Sequence, residues 1–123
     1  MVKNVNEKKV PNELIPKENK GGNCYVSALE EYVHSGYKGV LVHGVVMGRG
    51  AISGIRFGHA WVERDGMVID NTMPKRMREL PFDVYYMLGE VTITRKYTET
   101  EMLKMVDKYG TYGPWDKIFD KYN

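Results

Sequence analysis

Phe57-Gly58-His59-Ala60-Trp61-Val62-Glu63-Arg64-Asp65-Gly66-Met67-Val68-Ile69-Asp70-Asn71-Thr72 reads as two strands folded back on each other. Asp65-Gly66 is a dipeptide that suits a type I′ turn, where both central residues take positive φ. With those two residues as the loop, Arg64 pairs with Met67, Trp61 falls opposite Asp70, and His59 falls opposite Thr72. Side chains alternate along a strand, so His59, Trp61, Asp70 and Thr72 share one face. His59 and Asp70 are then diagonal neighbours, roughly 7–8 Å apart at their backbones and reachable through their side chains. A three-residue loop shifts the register and sets His59 opposite Asn71 instead. Asp70 is the favoured partner of the ring and Asn71 the alternative, because a carboxylate or an amide can orient an imidazole.

Upstream of this hairpin, Val40-Leu41-Val42-His43-Gly44-Val45-Val46-Met47 is β-branched and apolar on both faces, as a central strand is. Before it, Val26, Leu29, Tyr32 and Val33 recur at helical spacing, with Glu30 and Glu31 facing out. They predict a helix over about 23–34, stopped by Ser35-Gly36. Residues 1–20 read as an irregular arm that Leu14-Ile15 could pin to the body.

Downstream, a short helix is expected over 76–80, while 84–88 fits strand or helix. Residues 91–97 alternate as a strand. Thr98 with Glu101 forms a capping box for a helix to Tyr109, with the apolar stripe Met102, Leu103, Val106 and Tyr109 and a stop at Gly110. Pro114 is expected to open a last short helix carrying Trp115, Ile118, Phe119 and Tyr122. The order predicts an α+β fold: an N-terminal helix packed on an antiparallel sheet, followed by C-terminal helices.

The chain has 123 residues and 42% hydrophobic content, enough for one domain spanning 1–123 with a single core. Its net charge of +2 is spread along the sequence and leaves no footprint for nucleic acid or an anionic membrane. A single cysteine allows no internal disulfide. The polar, lysine-rich start has no apolar signal segment, and no apolar run reaches the roughly 20 residues of a membrane helix. A cytoplasmic protein is expected, and oligomeric state stays open.

That cysteine, Cys24, follows Gly21-Gly22-Asn23 at the point where a loop enters the first predicted helix. A helix N-terminus and a nearby imidazole both favour a thiolate, the nucleophilic form of the thiol. In acyl transfer the imidazole then protonates the leaving group. The Cys24 backbone N–H and one further donor, Asn19 or Asn23, are oxyanion candidates. Cys24, His59 and Asp70 are therefore the candidate nucleophile, base and orienter.

Segment 21–74 resembles the transglutaminase-like branch of the papain-like cysteine enzymes. The resemblance rests on Gly22-x-Cys24 before an amphipathic helix, the strand 40–47, His59-Ala60-Trp61-Val62-Glu63 and Asp70-x-Thr72. NlpC-type peptidases share the same logic of a cysteine on a helix and a histidine on a strand. The resemblance implies a papain-like core, a Cys24-His59-Asp70 triad, and a protein, peptide or small amide as substrate. It covers somewhat under half of the chain. The family also includes members that have lost activity, so a non-catalytic binding or inhibitor domain is the alternative. The acidic pattern of a calcium loop is not seen, and residues 75–123 find no counterpart.

Other residues read more plainly. Trp61 shares the His59 face and is a candidate for a substrate groove or for core. Arg49 within the glycine-rich stretch 48–54 and Arg56 just after it could meet an anionic substrate. That stretch lacks the spacing of a phosphate loop. His43 reads as a satisfied interior residue, His34 as a helix-end residue, and Glu63 as a solvated strand end. His59 and Glu63 share a face but lie roughly 13 Å apart along a strand, too far for one metal ion. No metal and no cofactor is expected.

Overall fold

The computed structural model describes residues 23–122, so the expected arm over 1–20, and Asn19 within it, lie outside the described residues. Helix α1 (Asn23–His34) buries Tyr25, Ala28, Leu29, Tyr32 and Val33. Strands β1 (Val40–Met47), β2 (Arg56–Arg64), β3 (Met67–Ile69), β4 (Glu79–Pro81) and β5 (Thr94–Tyr97) form one antiparallel sheet in the order β4-β3-β2-β1-β5. Helix α2 (Phe82–Leu88) lies between β4 and β5, and α3 (Glu99–Tyr109) follows β5. The fold is α+β.

β1 has strands on both sides, and Leu41 through Val46 are buried on both faces. Its continuous apolar run has that cause. Arg64 pairs with Met67, and Asp65 and Gly66 take φ of 53° and 77°, the two-residue turn that sets the β2–β3 register.

The sheet carries an apolar layer on each face. On one side Tyr25, Leu29 and Tyr32 of α1 pack with Leu41, Ala60, Val62 and Ile69 of the sheet, and with Met102 and Val106 of α3. On the other, Val42, Val46, Trp61 and Val68 pack with Tyr85 of α2. Each large side chain so buried contributes about 1.5–3 kcal/mol relative to exposure.

Several local expectations change. The expected helix over 76–80 is a 3₁₀ turn, Lys75–Met77, followed directly by β4. Its residues complete the sheet edge beside β3, which outweighs local preference. Segment 84–88 is helical within α2. The strand expected over 91–97 enters the ladder only at Thr94. Before it, Val45 donates to the Ile93 carbonyl at 2.9 Å and accepts from the Thr92 amide at 3.1 Å, so two residues face one, as in a bulge. The capping box of α3 is present, and Gly110 closes the helix at φ 68°. Tyr109 leaves the predicted stripe and is 47% exposed. Pro114 opens no helix. The last 3₁₀ turn spans Lys117–Tyr122, where the Asp116 carboxylate accepts the Ile118 amide at 2.9 Å.

Glu31 does not simply face solvent. Its carboxylate accepts the Arg64 guanidinium at 2.6 Å and the Asn71 side-chain amide at 2.9 Å. These bonds tie α1 to both ends of the hairpin, beside its turn at Arg64 and just after Asp70 at Asn71, and so fix the helix carrying Cys24 relative to His59 and Asp70.

Candidate active site

β3 ends at Ile69, and Asp70 turns out of the ladder with its amide donating to the Arg78 carbonyl at 2.8 Å. Its side chain turns toward β2, where His59 Nε2 lies 2.8 Å from Asp70 Oδ2. Tyr85 of α2 donates its hydroxyl to the same oxygen at 2.7 Å. The other oxygen, Oδ1, accepts from Thr72 twice: from the hydroxyl at 2.6 Å and from the backbone N–H at 3.1 Å. Asp70 is only 2% exposed, yet four donors surround its carboxylate. Burial pushes its pKa up, but the bonds from His59, Thr72 and Tyr85 and the charge on His59 outweigh burial and hold it below the ordinary carboxylate value. The group is an anion that cannot easily take a proton from the ring.

On His59 the balance runs the same way. Burial lowers its pKa, while the Asp70 carboxylate and a hydrogen bond and negative charge from Cys24 raise it to about 9. The ring is therefore an imidazolium at neutral pH. Nε2 is committed to Asp70, which leaves Nδ1 as the nitrogen available to the sulfur. Cys24 stands in the first turn of α1, half-buried against the core layer on that side. One helix start, one strand and one turn thus bring sulfur, ring and carboxylate together.

Space for the ring comes from β1. Gly44 lies directly across from His59, and a Cβ there would come within 2.4 Å of the Trp61 ring. The bare backbone lets the indole lie over β1, with its centroid 6.0 Å from the His59 ring. Trp61 is fully buried and backs the imidazole instead of walling a groove. Its Nε1 donates to Glu63 at 2.9 Å. Glu63, expected in solvent, is 3% exposed; it also accepts from the Tyr86 hydroxyl and pairs with Lys96 at 3.0 Å.

The remaining candidates disperse. Asn71 turns to Glu31 and makes no bond to the ring. Asn23 is exposed at the first position of α1. Arg56 donates to the Glu90 carbonyl at 2.9 Å and lies 3.9 Å from the Glu90 carboxylate. Arg49 donates to the Leu88 carbonyl at 2.9 Å and helps line a cleft of about 250 Å³ that also borders His59 and Tyr85. His34 is exposed at the end of α1. His43 is interior but not satisfied: neither ring nitrogen has a hydrogen-bond partner, and burial lowers its pKa to about 3. Tyr25, Tyr97 and Trp115 pack their rings around it, so it stays neutral.

Tyr85 was not singled out by the sequence, and its one signal is a tyrosine inside an otherwise apolar stretch. The second bond from Thr72 follows the Asx-type habit of an aspartate capping the residue two positions on. Among the described residues, no group of three His, Cys, Asp or Glu could hold a metal ion, and no helix is long and apolar enough to cross a membrane. Compared with family models, curated proteins and solved structures, the chain matches none.

Proposed function

We propose that this protein is a small cysteine enzyme that opens an amide or related acyl bond through Cys24, His59 and Asp70. One observation carries the reading. His59 hydrogen-bonds Cys24 while its opposite edge rests on a buried carboxylate held ionised by Thr72 and Tyr85. A surface histidine needs no such backing; a general acid–base does. Cys24 attacks the acyl carbon, and His59 delivers its proton to the departing amine. Water or a second amine then releases the acyl group. The Cys24 backbone N–H, in the first turn of α1, serves the oxyanion, with Asn23 as the nearby side-chain candidate. The order of a helix carrying the cysteine, a strand carrying the histidine and a turn carrying the aspartate supports the likeness to the transglutaminase-like, papain-like enzymes.

The test is labelling by a thiol-directed electrophile with activity read in parallel. Cys24→Ala is expected to lose both labelling and acyl transfer while keeping the wild-type melting temperature. His59→Ala is expected to keep the fold and lose most of the labelling rate. Equal labelling of the native chain and the His59→Ala chain would leave a binding domain as the better description.

A further inference from the structure

The cleft beside His59 has a composition that speaks to the substrate. Its wall is largely apolar, with three methionines, Met47, Met73 and Met77, beside Phe57, Leu80 and Leu88. Methionine side chains adapt to different apolar shapes, so the wall suits a flexible aliphatic group. Two polar side chains of the site border it, His59 and Tyr85, and both are turned to Asp70. Cys24 is not among the lining residues. A group in the cleft therefore touches the imidazole and not the sulfur.

That asymmetry assigns a side of the scissile bond. The acyl carbon must bond to the sulfur, whereas the atom receiving the proton from His59 belongs to the leaving amine. The incoming nucleophile later occupies the same place, since the second half of the reaction retraces the first. The cleft thus belongs to the amine half. At its rim, Arg49 is exposed and anchored by one nitrogen to the Leu88 carbonyl. It has no carboxylate partner among the described residues, in contrast to Arg56, Arg64 and Arg95. A cation held at the mouth of an apolar cleft is complementary to a carboxylate attached to an apolar chain.

Resting on the cysteine-enzyme reading, we propose that this cleft receives an α-amino acid with an apolar side chain, its side chain against the methionines and its free carboxylate on Arg49. The favoured substrate is then an acyl group in amide linkage to an apolar amino acid, such as a terminal leucine or methionine. In the first half, the sulfur–carbon bond forms, the carbon–nitrogen bond breaks, and the imidazolium proton leaves with the amine as the free amino acid. In the second, water adds to the thioester carbon, gives one proton to His59, and the thiolate departs as the acyl group leaves as a carboxylic acid. An amino acid acceptor in place of water reverses the first half.

The acceptor form gives the cleanest test, because the acyl group can be supplied by a small ester. The protein is treated with p-nitrophenyl acetate plus leucine, glutamate or leucinamide, and acetylated amine and acetate are measured by mass spectrometry. N-acetylleucine is expected to exceed N-acetylglutamate by roughly tenfold or more, the usual discrimination of an apolar pocket. Arg49→Gln is expected to reduce the leucine-to-leucinamide ratio about tenfold, the scale of one charge-assisted contact. Met77→Lys is expected to erase the preference for leucine over glutamate. Acetylation of Cys24 followed by indifferent transfer, or by release to water alone, would overturn the cleft assignment and leave the enzyme reading standing. No acetylation of Cys24 would overturn both.

Discussion

Asp70 is only 2% exposed, so its state depends on its four donors. Tyr85→Phe removes one without altering the ring that packs on Trp61 at 5.1 Å between centroids. A hydrogen bond to a buried charge is worth about 1.5–3 kcal/mol, and chemical denaturation of the variant is expected to show a loss of that size. The pH effect has a definite sign. A carboxylate with a lowered folded pKa contributes stability above its unfolded value and loses it as pH falls through the folded one. With one donor fewer, the Asp70 pKa rises toward the ordinary value, so the acid limb of activity moves to higher pH. An unchanged acid limb in Tyr85→Phe would show that Tyr85 only fills space.

The helix and the hairpin meet through Glu31, which holds Arg64 beside the hairpin turn and Asn71 directly after Asp70. The Glu31–Arg64 pair is about one-fifth exposed on each side, so its coupling is expected near the upper end of the surface range, about 1 kcal/mol, in a double-mutant cycle of Glu31→Ala and Arg64→Ala. Acyl transfer is expected to fall in either single variant although neither residue touches the reacting atoms, because α1 is freed relative to β2. Full activity with a measurable coupling energy would separate the tie from the positioning of Cys24. The same elements show what is readable from sequence. The hairpin is legible because Asp65-Gly66 names its turn and the alternation then fixes which residues share the His59 face. The capping box of α3 is legible for the same local reason. Glu63 and Tyr85 are not: their partners are Lys96 and Tyr86 for one and Asp70 for the other, and only the packing of α2 and β5 on the sheet brings them together. Lys75–Pro81 misleads because edge pairing with β3, a tertiary contact, decides its state.

Across the whole molecule, two histidines are displaced in opposite directions. His43 is held neutral, with a folded pKa of about 3 against an ordinary 6.5. Protonation therefore favours the unfolded chain, and stability falls as pH drops from about 6.5 toward 3. His59 has a folded pKa of about 9, so its contribution is complete below 6.5 and is lost as pH rises through 9. His43→Leu, which leaves no unsatisfied nitrogen, is expected to flatten the acid side of the stability profile between pH 4 and 6.5 and leave the alkaline side in place. Urea melts across that range check it; an acid slope that persists would assign the loss to carboxylates such as Asp70 and Asp116, which are also held below their ordinary values.

The pairing of sulfur and imidazolium is tested most directly by the rate of Cys24 alkylation by iodoacetamide as a function of pH, in the native chain and in His59→Ala. The native chain is expected to react at least about tenfold faster at pH 6, a gap that narrows above pH 9 as His59 loses its proton. Two superimposable pH–rate curves would contradict the account, because the ring would then have no hold on the thiol.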